Sequence, residues 1–289
     1  MTPGPRSKTG TGAFDVDQLF SSKIRDGGRV KTGIPEFDEM LRGGFMQGDS
    51  VLLAGCAGTG KTTLALQYLV NGVTRYNDRG VYLTFEELPD QIYRDALNFG
   101  WDLRKLEEED RIQIVCTSPD LVLDGDAGEG LLHDTIREFQ PQRIVVDSLS
   151  HFEMYIPQKD LRKEAYRLIN SFKSKGISSI LLWETPQIMG SSLSISDVGI
   201  SFLVDAIILL KPVEIESSIR RLLGILKMRG SDHDKRLREF EITAHGVEVL
   251  NPLTNYEGIL TGSPRRSLIE AAANNWALAF EGAKQKPIK

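Results

Sequence analysis

The chain has 289 residues, 40% hydrophobic and 26% charged, enough to bury a sizeable core as one large domain with appendages. A formal net charge of −5, from 35 Lys and Arg against 40 Asp and Glu, argues against a broadly basic face that grips nucleic acid through its phosphates. The apolar stretch 204–210 is interrupted by Asp205 and is far shorter than the roughly twenty residues a bilayer needs; the N-terminal residues lack a secretory apolar run, so a cytoplasmic address without membrane association is expected.

Residues 1–29 are polar and rich in Gly, Ser, Thr and Pro, and read as an extension ahead of one large domain spanning 30–262. Residues 30–41 read as a turn and a short helix opened by Pro35 and closed by Gly43-Gly44. The apolar run 50–54 then leads into Gly55-Cys56-Ala57-Gly58-Thr59-Gly60-Lys61-Thr62, which fits the phosphate-loop pattern G-x-x-x-x-G-K-[ST] at every fixed position, with a helical stretch opening at Thr63. Such glycines let backbone N–H groups turn onto phosphates at a helix N-terminus; Lys61 then reaches the β/γ-phosphates and the Thr62 hydroxyl ligates Mg²⁺. Cys56 and Cys116 have no metal-ligand spacing and read as reduced thiols, with Cys56 close to cations able to lower its pKa.

Beyond the loop, strands at 81–85, 112–115, 144–147 and 177–183 alternate with helical patterns at 90–99, 131–139 and 161–173. That alternation predicts an α/β fold, a mainly parallel central sheet flanked by helices, with ligands at the carboxyl ends of the strands. After 204, consecutive strands at 206–210, 222–226, 237–242 and 247–250 predict an antiparallel C-terminal extension of the same sheet. Ser263-Pro264 ends it, and 263–289 reads as a C-terminal helix, at 268–280, with a tail.

Several strand ends carry chemistry. Asp147 follows three β-branched residues, where a buried strand delivers a carboxylate to the Mg²⁺ shell through water. Glu86-Glu87 closes the strand after the phosphate-loop helix, where a carboxylate orients or deprotonates the attacking water; adjacent side chains point to opposite faces, so one of the two, by preference Glu86, is the direct base. Glu184 and Thr185 end another strand, where they sense the γ-phosphate or simply start a loop. No N-K-x-D guanine reader occurs, which favours ATP over GTP. The charged segment 227–235 is either a solvated hairpin or a cationic tip for a neighbour's phosphates.

The phosphate loop, Phe85-Glu86-Glu87, Asn98-Phe99-Gly100-Trp101-Asp102-Leu103, Val146-Asp147-Ser148-Leu149-Ser150 and Lys227-Met228-Arg229-Gly230-Ser231 together resemble the KaiC group of RecA-like P-loop ATPases, the resemblance running from about residue 31 to 265. KaiC itself carries two tandem copies of this domain, whereas this chain holds one. The resemblance implies ATP and Mg²⁺ as ligands, a hexameric ring with ATP between subunits, Lys227 and Arg229 as trans-acting contacts to the γ-phosphate, and Glu86-Glu87 as the catalytic pair. Segments 206–210, 227–235 and 259–264 look closest to the second KaiC domain, which phosphorylates an adjacent Ser-Thr pair. Counting back from Asp205, that pair falls on Ser201 and Phe202, so only the serine is kept, while Ser196 matches another family hydroxyl. The expected function is therefore Mg-dependent ATP hydrolysis by a ring-forming, nucleotide-driven switch with a protein partner and serine autokinase activity. An assembly module with negligible turnover and a RecA-like DNA-dependent ATPase stand as alternatives.

Overall fold

The computed structural model describes residues 28–123, 130–185, 199–254, 256–260 and 265–266. Two short strands, β1 (Arg29–Val30) and β2 (Phe45–Met46), pair antiparallel around helix α1 (Pro35–Met40), which starts on a proline as expected. The central sheet follows from β3 (Ser50–Gly55), β4 (Gly80–Thr84), β5 (Ile112–Cys116), β6 (Arg143–Asp147), β7 (Ser178–Glu184), β8 (Ala206–Ile215), β9 (Ser218–Met228), β10 (Arg238–Thr243) and β11 (Gly246–Pro252). Its spatial order is β11-β10-β9-β8-β3-β7-β6-β4-β5.

The six strands β5, β4, β6, β7, β3 and β8 run parallel, and β9 to β11 continue antiparallel. The expected antiparallel extension thus begins one strand later than read: β8 pairs parallel with β3, because the chain crosses back to the start of the sheet between β7 and β8. Helices α2 (Lys61–Tyr76), α3 (Pro89–Leu97), α4 (Leu103–Glu108), α5 (Pro119–Leu123), α6 (Leu131–Phe139), α7 (Phe152–Tyr155) and α8 (Gln158–Ser174) complete the described core. No helix among the described residues is long and apolar enough to cross a membrane. The predicted helix at 268–280 lies outside the described residues.

Every residue of β3 and β4 is buried, as expected for strands covered on both faces. The two-residue period sorts their side chains: Val51 and Leu53 pack with Phe37, Leu64 and Ile92, whereas Leu52 and Ala54 pack with Ile136, Leu161 and Ala165. The layers are tied by Arg143, only 1% exposed. It pairs with Asp78 at 2.7 Å and donates to the carbonyls of Lys31 and Tyr68 at 2.9 and 3.0 Å. A Cβ at Gly72 would lie 2.3 Å from the Arg143 Nε, so the guanidinium reaches its partners only over a glycine.

Parallel register decides where chemistry collects. Gly55 lies opposite Glu184, and Thr84 opposite Asp147, so the carboxyl ends of β3, β7, β6 and β4 open on one edge. Lys227 lies opposite Ile207 near the start of β8, at the other edge.

Candidate nucleotide site

The loop 55–60 turns because its glycines adopt what other residues resist. Gly58 and Gly60 have φ of +76° and +94°, and a Cβ at Gly55 would sit 2.7 Å from the Leu210 carbonyl oxygen. Thr59 is buried and donates its hydroxyl to the Cys56 carbonyl at 2.8 Å, which pins the loop from within while Ala57 and Gly58 stay exposed. Helix α2 starts at Lys61 with Gly60 as a cap that offers no side chain, and its first turn holds no acidic residue. Its free N–H groups and dipole are left to favour an anion. Gln67 on α2 exchanges hydrogen bonds with the Val247 backbone, at 3.2 and 2.6 Å, so the C-terminal hairpin steadies the helix beneath the loop.

Lys61 donates to the Cys56 carbonyl at 3.0 Å; burial holds its ammonium below the usual lysine range, with Glu184 and Asp147 opposing that shift. The Cys56 thiol departs from expectation, because burial pushes its pKa up and outweighs the nearby Lys61 charge. Thr63 is half-buried one residue further along α2.

Thr62 and Asp147 meet across α2 and β6: the Thr62 hydroxyl donates to Asp147 Oδ2 at 2.9 Å. Tyr82, on β4, donates its phenol to the same oxygen. Burial raises the Asp147 pKa, and these two hydrogen bonds act against it. A hydroxyl beside a buried carboxylate is a donor set suited to a hard divalent cation.

Glu86 and Glu87 lie between the end of β4 and α3, which starts at Pro89, so neither belongs to a helical first turn. The Thr84 hydroxyl accepts from both of their amides, at 3.4 and 3.2 Å. The side chains face different groups, as adjacent positions require. Glu86 Oε2 is 3.1 Å from His151 Nε2, whereas the Glu87 carboxyl is pushed up by burial and then by the charges of Asp147, Asp95 and Glu86. At the end of β7 the Glu184 side chain is exposed, and the Thr185 amide donates to the Gly55 carbonyl at 3.1 Å. His151 and Tyr82 carried no signal as single residues in the sequence.

Lys227 and Arg229 stand apart from this cluster. Lys227 Nζ donates to the carbonyls of Ser201 and Val204, at 2.8 and 2.7 Å, and Arg229 donates to the Phe202 carbonyl at 2.9 Å. The rise of a strand puts roughly 15–20 Å between that edge and the phosphate loop of the same chain. Ser201 is half-buried in a short 3₁₀ turn at Ile200–Phe202; Ser196 lies outside the described residues.

A family model described as "ATPase: KaiC" matches residues 30–254. The circadian clock protein KaiC3 of Synechocystis sp. is 36% identical over 252 residues, 87% of this chain and 48% of that protein. The circadian clock oscillator protein KaiC of Nostoc sp. is 34% identical over 264 residues, 91% of this chain and 50% of that protein. A crystal structure of a KaiC-like protein from Pyrococcus horikoshii superposes with a TM-score of 0.70 at 32% identity, covering 78% of this chain and 100% of that one. The chain belongs to the KaiC family of ATPases, has its RecA-like fold, and spans about half the length of the curated relatives it matches.

Proposed function

We propose that this chain hydrolyses ATP to ADP and phosphate in a Mg²⁺-dependent reaction, as a ring, on the expectation a hexamer, whose sites are completed by neighbouring copies. The observation that carries the reading is the meeting of three strand ends: the phosphate loop after β3, Asp147 hydrogen-bonded to Thr62 after β6, and the Glu86-Glu87 pair after β4. The loop amides and Lys61 bind the phosphates, and Thr62 with Asp147 would hold Mg²⁺, which when bound offsets the charge that develops during phosphoryl transfer. Glu86 orients the attacking water and accepts its proton, with Glu87 beside it. Positioning and electrostatics supply most of the acceleration.

Residues 30–262 form the ATPase unit in this reading, with 1–29 and 263–289 as appendages. Lys227 and Arg229 belong to the next subunit's site, because their own phosphate loop lies across the sheet. Ser201, whose carbonyl Lys227 grips, is the favoured acceptor for autophosphorylation, with Ser196 second. The assembly acts in the cytoplasm as a switch read by a protein partner.

Phosphate release by the purified chain, with and without Mg²⁺, tests the reading alongside native mass spectrometry in ATP, in ADP and without nucleotide. Mg²⁺-dependent release from a nucleotide-stabilised ring is expected. Tight ATP binding and assembly without release would instead leave a nucleotide-gated assembly module.

A further inference from the structure

Glu86 stands at the end of a chain of polar contacts that starts on another strand. The Glu184 amide, at the end of β7, lies 3.0 Å from Ser150 Oγ; Ser150 Oγ lies 2.8 Å from Ser148 Oγ; Ser148 Oγ lies 3.0 Å from His151 Nδ1; and His151 Nε2 lies 3.1 Å from Glu86 Oε2. The two ends fix its direction, because an amide only donates and an ionised carboxylate only accepts. With a neutral imidazole the ring proton must serve Glu86, since the carboxylate has none to give. Nδ1 is then the acceptor, so Ser148 donates to His151 and Ser150 donates to Ser148. For a neutral ring the network therefore has one consistent arrangement, with the ring proton on Nε2 of His151.

Packing holds the relay in place. Ser148 is 5% exposed, and Phe85, next to Glu86, packs edge-on against Phe152, next to His151, with ring centroids 5.3 Å apart. Among the described residues, carboxylates face His151 from Glu86, just after β4, and from Asp147, at the end of β6. Glu86 itself is 74% exposed, and an exposed pair of this kind adds little stability. Its consequence lies in aim: a solvated glutamate otherwise samples many rotamers, and water attack needs one.

We infer that His151 is a positioning residue for ATP hydrolysis, orienting Glu86 through a one-way hydrogen-bond relay anchored on the backbone of β7. The inference rests on the reading of Glu86 as the carboxylate facing the attacking water. It also links the strand that touches the phosphate loop through Thr185 to the strand that carries the base.

The test compares His151→Ala and His151→Gln with wild type, since the glutamine amide can still donate to Glu86. In the alanine variant kcat should fall between about 10-fold and 100-fold with KM for ATP and thermal stability retained, and glutamine should restore most of the loss. Nitrogen-15 spectra of the four histidines, with the His151 signal assigned by its loss in the variants, should show a protonated Nε2 and a bare Nδ1. Wild-type kcat in the alanine variant, equal damage by glutamine and alanine, or a protonated Nδ1 on neutral His151 would each overturn the inference. The spectrum reads the relay without turnover, so a chain that hydrolyses no ATP overturns the hydrolysis reading while the tautomer still decides the relay.

Discussion

Tyr82 donates its phenolic proton to the same Asp147 oxygen that accepts from Thr62, so a residue in the middle of β4 helps to set the carboxylate at the end of β6. Tyr82 is fully buried, and burial, then the Asp147 charge and this hydrogen bond, push its own pKa well up, so the phenol stays a donor at every physiological pH. Tyr82→Phe keeps the ring and removes only that donor. The Mg²⁺ concentration for half-maximal hydrolysis should rise several-fold, while stability falls by about 1.5–3 kcal/mol, the range for a hydrogen bond to a charged group. An unchanged Mg²⁺ requirement in a folded variant would show that Asp147 needs no such support.

Glu86 and Glu87 should separate on mutation because their surroundings differ. Gln keeps the shape of either side chain and loses the ability to take a proton. Glu86→Gln should lower kcat by about 10²- to 10³-fold with nucleotide binding retained, and Glu87→Gln should have a smaller effect. Steady-state phosphate release with parallel binding of a fluorescent nucleotide checks both. Should Glu87→Gln prove the more damaging, the base would be the residue whose carboxyl burial and Asp147 push upward.

Much of this site is visible in the sequence because its parts are contiguous. The phosphate loop is one unbroken string, and Asp147 and Glu86-Glu87 each end an apolar run, so the parallel direction of their strands brings them to one edge. Helices α4, α5 and α7 escape notice because six, five and four residues are too few to display a helical period. β8 and β9 run well past their apolar stretches, since an antiparallel ladder continues through Lys211, Glu214, Arg220 and Arg221 on backbone bonds while their side chains meet solvent. Tyr82 and His151 depend on partners from other strands, and no local pattern marks such a residue.

Arg229 provides the test of a shared site, since it lies at the sheet edge opposite its own phosphate loop. Lys61→Ala should lose nucleotide binding, and Arg229→Ala should bind ATP yet hydrolyse it poorly, because positive charge is withdrawn from the neighbour's transition state. Mixed together, a Lys61→Ala subunit still offers an intact Arg229 to an Arg229→Ala neighbour. Part of the activity should return. No recovery after subunit exchange, verified by native mass spectrometry, would place Arg229 in a purely structural role at the Phe202 turn.

Ser201 shares that edge, so its phosphate should also come from another copy. Intact-mass analysis after incubation with Mg-ATP is expected to show phosphate on Ser201 or Ser196, reduced by Ser201→Ala. In mixtures of Lys61→Ala with Ser201→Ala, label should appear on the chain whose own phosphate loop is dead. An active, assembled sample that stays unphosphorylated would leave hydrolysis as the chain's reaction.

Stability should respond to pH through Asp49, which sits where β2 turns into β3 and accepts from the Met46 amide at 3.2 Å. Burial, and then the neighbouring Asp205 charge, push its pKa from 3.8 up to about 6. The folded protein therefore holds this proton more tightly than the unfolded chain does. Between the unfolded and folded values it binds more protons, so stability falls as pH rises through that window and levels off above it. Asp49→Asn keeps an acceptor for Met46 and removes the charge that burial disfavours. Because the residue is only partly buried, the gain is set on the order of 1 kcal/mol rather than the full value of the shift. Urea unfolding at about pH 8 should show the variant more stable than wild type, and at about pH 4 the difference should vanish. A variant less stable at about pH 8, or one whose advantage is the same at both, would mean that the Asp49 charge is better accommodated by Lys173 and Arg29 than its burial implies.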